Sequence, residues 1–277
     1  CAIKAARKYA ADKYGPERHK IVTLINSFHG RTIATLTATG QEEMHRDFNP
    51  LLPGFLYTPA NDCEALKALV AEHDDIAAIM FELVQGEGGV MPLERAFVDC
   101  MAELAAEKDI LLVCDEVQTG NGSLYAWQQY GFTPDIMSTA KGLGGGLPIG
   151  ACLFGEKTEN TLTPGTHGST FGGSPAVCAG ALSILGRIDE ALLAQVRAKS
   201  EYLFSAFEGK PGIEQVSGLG LMIGLKTAKP AAEVVAKCVE QGVLVLTAHG
   251  KVRLLPALNI PMELVKKAAE VIIAACA

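Results

Sequence analysis

Lys141 follows a predicted strand and precedes a glycine-rich stretch. It lies in the segment Ser-Thr-Ala-Lys-Gly-Leu-Gly-Gly-Gly-Leu-Pro, residues 138–148. A lysine is ordinarily a solvated surface group. Here the glycines would let backbone and ligand approach closely, and they do not allow a long helix. An amine that loses hydration in such a place becomes a usable nucleophile. The glycines match neither G-x-G-x-x-G nor a P-loop, so a nucleotide site is a poor interpretation.

A second candidate is Asp115, which follows the apolar run Ile110–Cys114 and precedes Glu116-Val117-Gln118. A carboxylate at the end of a buried strand is costly unless it has a partner. It could cap the following turn through backbone N–H groups. It could equally pair with a positively charged ring nitrogen, which would keep a pyridine protonated and able to accept electrons.

Two polar loops could contact the same ligand. In the first, Phe28 is either a core residue or an aromatic that stacks on a planar ring, and Arg31 is placed to clamp a carboxylate. His29, between them, is by default a packed, hydrogen-bonded histidine. The second loop, 165–175, contains Ser169 and Thr170 among glycines before a predicted helix, and it is either an anion-binding loop or an ordinary polar loop.

Three further charged residues need partners. Glu82 and Glu87 flank a glycine-containing turn at the end of a predicted buried strand. Arg253 lies inside an apolar strand, where an unpaired guanidinium would be expensive. Arg253 therefore requires an anion, either a carboxylate side chain or a substrate.

Strand-length apolar runs alternate with helical patterns and place these residues at strand ends. This rhythm predicts an α/β fold with a mostly parallel sheet sandwiched by helices. A smaller α+β block follows, so we expect a large domain over 1–185 and a small one over 186–277. The predicted strands are 21–25, 76–81, 110–114, 136–138, 149–154, 220–225, 243–246 and 252–255, and the predicted helices are 65–72, 95–108, 174–207 with a break near 186, 231–241 and 262–276.

Composition excludes several classes of function. The net charge of −7 argues against a general nucleic-acid binder, and no apolar run reaches the length of a membrane span. The eight cysteines show no CxxC pair and no matching histidine spacing, so we expect free thiols in a reducing cytosol and no metal site. The chain begins with Cys1 in what reads as the middle of a helix, and we therefore expect it to be N-terminally truncated.

Five motifs occur together and in a fixed order: FHGRT, ELVQGEGG, DEVQTG, STAKGLGGGLPIGA and GTHGSTFGG. In sequence and spacing the chain resembles the class-III (fold-type I) pyridoxal-phosphate aminotransferases over essentially its whole length, and most of all the acetylornithine group. The resemblance implies the fold of that family and pyridoxal 5′-phosphate as cofactor. It also implies a homodimer in which each subunit contributes to the other's cofactor site.

The resemblance also implies a role for each candidate residue. Lys141 matches the Schiff-base lysine that later moves the proton, and Asp115 matches the carboxylate on the pyridine nitrogen. The other cofactor-binding positions are Phe28 and Val117 on the two ring faces, Gln118 near the ring 3′-oxygen, His29, Ser169, and Thr170 at the phosphate of the partner subunit's cofactor. The substrate-binding positions are Arg31 and Arg253 as carboxylate clamps, Glu82, and Glu87 as the acid that neutralises Arg253 when the amino donor binds.

The implied reaction transfers the amino group of N-acetylornithine to 2-oxoglutarate, giving N-acetylglutamate 5-semialdehyde and glutamate, a step of arginine biosynthesis in the cytoplasm. Ornithine, succinyl-diaminopimelate or 4-aminobutyrate could replace the donor, and the chain could also be an inactive fragment. Two departures bear on this. The segment 121–125 is about three residues shorter than the family pattern, and the family's N-terminal phosphate loop would precede Cys1.

Overall fold

The computed structural model describes residues 1–119 and 122–277, and these residues form two compact units. The first unit contains 1–83, 93–118 and 127–186, and the second contains 84–92, 119–126 and 187–277. Two short internal segments are therefore grouped with the C-terminal part of the chain. Whether 1–185 and 186–277 are separate domains stays a prediction.

The strands of the described residues follow the alternating pattern of the sequence. Their bounds are β1 Lys20–Leu24, β2 Phe55–Thr58, β3 Ile76–Phe81, β4 Val84–Gln85, β5 Met91–Pro92, β6 Leu111–Asp115, β7 Ile136–Thr139, β8 Ala151–Phe154, β9 Ile213–Leu219, β10 Met222–Thr227, β11 Leu246–Ala248 and β12 Lys251–Leu254.

The helices connect these strands, and several begin at an acidic cap: Asp62 accepts from the N–H of Ala65, and Asp189 accepts from the N–H of Leu192. Their bounds are α1 Ala2–Tyr14, α2 Ile33–Ala38, α3 Glu42–His45, α4 Cys63–Glu72, α5 Arg95–Lys108, α6 Trp127–Tyr130, α7 Pro175–Leu185, α8 Glu190–Phe207, α9 Ala231–Glu240 and α10 Met262–Cys276.

The first unit is built on a six-stranded sheet in the order β2-β1-β3-β6-β7-β8. The five strands from β2 to β7 are parallel, and β8 pairs antiparallel with β7. Every residue of β3 and of β6 is buried, as expected for strands that are covered on both faces. The predicted α/β class and mostly parallel sheet are confirmed. The carboxyl ends of β1, β3, β6 and β7 share one edge, where ligand sites of such sheets collect.

The second unit contains a four-stranded sheet in the order β11-β12-β10-β9 and the hairpin β4–β5. Its core is formed by apolar residues of α8, α9 and α10 that pack with those of β10 and β12. At Gly224 of β10 an added Cβ would lie 2.9 Å from Cβ of Val90 and 3.0 Å from the carbonyl oxygen of Gly89. The absence of a side chain at Gly224 therefore lets the segment after β4 lie directly on the sheet.

The C-terminal strands depart from the predicted bounds. We predicted a strand over 243–246, but β11 covers Leu246–Ala248. His249 and Gly250, with φ of 45° and 77°, form a two-residue turn that pairs Ala248 with Lys251 and so fixes the register. We also did not predict β9, Ile213–Leu219, because its apolar residues Ile213, Val216 and Leu219 lie three positions apart and form neither a continuous run nor a strict alternation.

The expectation that all cysteines are free thiols is wrong at two positions. Cys63, the first residue of α4, forms a disulfide with Cys100 in α5. The other six cysteines are free, and Cys114, Cys238 and Cys276 are buried. Spacing could not reveal the pair, because the two residues are brought together by the packing of α4 on α5.

The described residues lack two kinds of feature, a membrane-spanning helix and a cluster of metal ligands. No helix among them is both long and apolar enough to cross a membrane. Within the same residues, no group of three or more histidine, cysteine, aspartate or glutamate side chains is arranged to hold a metal ion.

Candidate active site

The centre of the candidate site is Asp115, the last residue of β6, which is only 6% exposed. Both of its carboxylate oxygens accept hydrogen bonds. Oδ2 lies 2.8 Å from Nδ1 of His29, and Oδ1 accepts from Oγ of Ser138 at 3.0 Å and from the backbone N–H of Val117 at 3.2 Å. These contacts fix the orientation of a charge that would otherwise be costly at this depth.

His29 is the basic partner of that carboxylate. It is buried, and its own N–H donates to Oγ1 of Thr39 at 2.9 Å. Burial lowers the pKa of His29, but the hydrogen bond and charge of Asp115 and the charge of Glu82 outweigh burial, so the pKa is raised above its usual value. Nε2 is buried and has no hydrogen-bond partner among the described residues. His29 is therefore a packed, hydrogen-bonded histidine, as our default interpretation had it, and its partner is the candidate catalytic carboxylate.

Phe28 and Arg31 lie on the loop that carries His29. The N–H of Phe28 donates to Oε2 of Glu82 at 2.8 Å, and Glu82 itself is buried at the end of β3. The guanidinium carbon of Arg31 lies 5.3 Å from the centre of the Phe28 ring, and Arg31 is exposed. In the structure Glu82 thus holds this loop in place, whereas the sequence analysis assigned it to the substrate.

Lys141 follows β7 and begins a 3-10 turn that ends at Gly144. Its φ of 46° is in the left-handed region, which is uncommon for a residue with a side chain and is frequent at functional sites. In the parallel pairing of β6 with β7, Asp115 lies beside Ser138, three residues before Lys141. The carboxylate and the lysine are therefore placed by the ends of adjacent strands.

The residues after β6 continue this edge. Val117 is held by its N–H bond to Asp115, and both Val117 and Gln118 are half-buried. Glu116, quoted in the sequence analysis without a role, is buried and accepts from the N–H of Trp127 at 2.8 Å. The shortened segment 121–125 begins at Asn121, and residues 120–121 lie outside the described part of the chain, so this departure is not assessed.

Ser169 and Thr170 are exposed in the single chain. Their loop is attached near its start, where Nζ of Lys4 donates to the carbonyl oxygen of Thr166 at 3.0 Å. The predicted contact of Thr170 with a phosphate in the partner subunit stays a prediction.

Arg253 and Glu87 form an ion pair within the second unit. Nη1 of Arg253 lies 2.8 Å from Oε1 of Glu87, and the two side chains are 8% and 32% exposed. Nε of Arg253 is buried and lacks a hydrogen-bond partner among the described residues. The expected need of this guanidinium for an anion is met by Glu87, and part of its donor capacity remains unused.

Ser138 is the one contact of Asp115 that the sequence analysis quoted only as part of a motif. The signal that could have identified it is the strand register, because parallel neighbours present their side chains on the same face of a sheet. That register depends on pairing between β6 and β7, which the sequence does not specify.

Comparisons with known proteins agree with this arrangement. A family profile described as Aminotransferase class-III matches residues 1–276. The chain is 48% identical to an acetylornithine aminotransferase of Haemophilus ducreyi, over 98% of this chain and 70% of that protein. It is 43% identical to an acetylornithine aminotransferase of Aquifex aeolicus, over 98% of this chain and 72% of that protein.

Solved structures with the same fold belong to enzymes of the same kind. An ornithine aminotransferase from Toxoplasma gondii, described with partial occupancy of PLP at its active site, superposes with a TM-score of 0.91 at 32% identity, covering 99% of this chain and 69% of its own. An N-acetylornithine aminotransferase from Stenotrophomonas maltophilia gives a TM-score of 0.82 at 33% identity, over 99% and 70% of the two chains. The chain belongs to the class-III aminotransferase family.

Proposed function

We propose that the protein transfers the amino group of N-acetylornithine to 2-oxoglutarate with pyridoxal 5′-phosphate as cofactor. The observation that carries the proposal is the placement of Asp115 and Lys141 at the ends of the adjacent strands β6 and β7. A carboxylate is the partner that a protonated pyridine nitrogen needs, and an amine is the group that bonds to an aldehyde. Bound pyridoxal phosphate supplies an electron sink for the reaction.

The residues present fit such a group. Asp115 is a buried carboxylate at a sheet edge, a position that calls for a cationic ligand or side chain. Beyond Lys141, a Cβ built at Gly142 or at Gly146 would meet no atom within 4 Å, so the backbone leaves open space on this side. Phe28 is half-buried beside the same edge and offers an aromatic face for a planar ring.

Four side chains of this chain would carry the chemistry. Lys141 Nζ would hold the cofactor and would accept the proton from the substrate α-carbon. Asp115 would keep the ring nitrogen protonated, and its hydrogen bonds with His29, Ser138 and Val117 would fix the direction of that contact. Arg253 binds a substrate carboxylate, while Glu87 neutralises the guanidinium whenever that carboxylate is absent.

The choice of N-acetylornithine as the donor rests on similarity. The curated relatives at 40% to 48% identity are named acetylornithine aminotransferases. Ornithine is the second candidate, since an ornithine aminotransferase is among the solved structures with the same fold. The two donors differ in charge at the distal nitrogen, which is acylated and neutral in one and cationic in the other.

We further infer that the working unit is a homodimer. Apolar side chains of the first unit that no described residue covers include Phe171, 87% exposed, and Leu182 of α7, 71% exposed. Patches of this kind on a protein surface commonly mark interaction sites, and a second copy is the partner that the family resemblance implies. Light scattering of wild type and Leu182→Asp tests this: a dimeric wild type and a more dissociated variant support it, whereas a monomeric wild type opposes it.

A cytoplasmic location remains a prediction. Its support is that six of the eight cysteines are free thiols, and the disulfide between Cys63 and Cys100 weakens that argument.

The proposed reaction is tested by measuring glutamate formation from 2-oxoglutarate with N-acetylornithine, ornithine or 4-aminobutyrate as donor. We expect the highest kcat/KM with N-acetylornithine and none with Lys141→Ala. A higher kcat/KM with ornithine would reassign the donor. Wild-type protein that binds pyridoxal phosphate but forms no glutamate from any donor would refute transamination.

A further inference from the structure

The two oxygens of the Asp115 carboxylate are not equivalent. A carboxylate oxygen can accept about two hydrogen bonds. Oδ1 accepts two, from Ser138 Oγ at 3.0 Å and from the Val117 N–H at 3.2 Å. Oδ2 has one partner among the described residues, Nδ1 of His29 at 2.8 Å. One acceptor position therefore remains, and it is on Oδ2.

Ser138 reaches Oδ1 because the sheet places it there. Ser138 on β7 is the register partner of Asp115 on β6, and its carbonyl oxygen accepts from the N–H of Glu116 at 2.8 Å. The backbone on both sides of the side-chain hydrogen bond is thus part of one strand pair. A donor carried by paired strands is more rigidly placed than one carried by a loop.

The three donors to this carboxylate differ in the kind of group that donates and in the oxygen that accepts. The Val117 N–H belongs to the backbone, and His29 contacts the other oxygen. Ser138 supplies the one side-chain hydroxyl that the described residues place on Oδ1. Without it, the terminal torsion of the aspartate, which has a broad energy profile, is free to turn, and Oδ1 gains a free acceptor position.

We propose that Ser138 is a positioning residue that reserves Oδ2 of Asp115 for the ring nitrogen of the cofactor. This inference rests on the proposed function. By occupying Oδ1, the hydroxyl leaves one oxygen and one direction for the ring N–H. The charge-assisted hydrogen bond to the ring is then made in a single geometry. Ser138 itself makes no contact with the reacting atoms.

The test compares two cofactors by equilibrium binding, without reference to activity. One is pyridoxal phosphate, and the other is its analogue with C–H in place of the ring nitrogen. We expect wild type to prefer pyridoxal phosphate. Ser138→Ala should weaken its binding about tenfold, which corresponds to the loss of one hydrogen bond involving a charged group, and should change binding of the analogue less than about twofold.

A matched pair of variants controls for packing. Ser138→Thr keeps the hydroxyl and Ser138→Val has nearly the same shape without it, and both suit a strand. We expect threonine to restore the wild-type preference and valine to lose it as alanine does. If Ser138→Ala does not fold, the comparison of Ser138→Thr with Ser138→Val still tests the role of the hydroxyl, because neither side chain leaves a cavity.

The outcomes separate the inference from the proposed function. If Ser138→Val weakens both cofactors equally, or if threonine behaves as valine does, Ser138 is structural and the inference is overturned. Wild type that binds neither cofactor would overturn the proposed function itself. Wild type that prefers pyridoxal phosphate, with a preference that Ser138→Val leaves unchanged, would overturn only the role of Ser138.

Discussion

Replacing Glu87 by glutamine should tighten the binding of 2-oxoglutarate while it destabilises the protein. Under the proposed function a substrate carboxylate competes with Glu87 for Arg253. Their ion pair, 2.8 Å between Nη1 and Oε1, must open before that carboxylate can bind. Glutamine keeps the shape of the side chain but removes the charge, so it is a weaker competitor. The same change leaves a nearly buried guanidinium with a poorer partner.

The size of both effects follows from the geometry of the pair. A hydrogen bond between charged groups contributes about 1.5 to 3 kcal/mol. Because Glu87 is 32% exposed, water screens the pair and we use the lower limit, about 1.5 kcal/mol. This value corresponds to about tenfold in a dissociation constant. The Kd for 2-oxoglutarate should therefore fall about tenfold, and the free energy of unfolding should drop by about 1.5 kcal/mol.

Two assays read these quantities separately. Isothermal titration of the pyridoxal-phosphate form, which has no amino group to transfer to 2-oxoglutarate, gives the dissociation constant, and urea unfolding gives the stability. Glu190→Gln is the matched control, because Glu190 pairs with Arg197 in the same unit but is 79% exposed. We expect this control to change neither quantity by more than a few tenths of a kcal/mol.

The reasoning about Glu87 is refuted by either of two results. One is a Kd for 2-oxoglutarate that is unchanged or higher in Glu87→Gln, which would mean that Glu87 does not compete with the substrate. The other is a gain of affinity in Glu190→Gln as large as the gain in Glu87→Gln, which would point to a general effect of charge.

Two further predictions concern stability. Cys63→Ser opens a disulfide that spans 37 residues, so the free energy of unfolding by urea should fall by about 3 to 4 kcal/mol; a loss below about 1 kcal/mol would contradict the bond. The raised pKa of His29 means that its charged form contributes stability below its unfolded pKa of about 6.5, and this contribution is lost as pH rises through the folded pKa. The stability difference between wild-type apoprotein and His29→Asn should therefore shrink as pH rises above about 6.5, and a difference that is constant with pH would oppose the pairing with Asp115.

The fold was largely predictable where the apolar pattern is continuous. Strand Ile76–Phe81 and helix Met262–Cys276 have the predicted bounds, because a fully buried strand and an amphipathic helix each leave a clear periodicity. Strand β9 and the register of β11 were not predictable. The apolar residues of the first lie three positions apart and match no strand pattern, and the register of the second is set by the turn at His249-Gly250.

The candidate site was predictable in residue type but not in its contacts. Asp115 was expected to need a partner, yet nothing local in the sequence indicated that His29 is the partner. The two residues are 86 positions apart in the sequence. The strands β1 and β6 lie on either side of β3 only in the folded sheet. The contact of Ser138 with Asp115 requires the register of two paired strands. Contacts between strand ends are tertiary properties, and local patterns do not contain them.

The central claim, that Lys141 is the residue which bonds to the cofactor, is tested most directly by trapping that bond. The protein is loaded with pyridoxal phosphate, reduced with borohydride, digested, and sequenced by mass spectrometry. We expect the reduced cofactor on Lys141 and none on the same peptide of Lys141→Ala. Stoichiometric labelling of a different lysine in wild type, or undiminished labelling of Lys141→Ala, would contradict it.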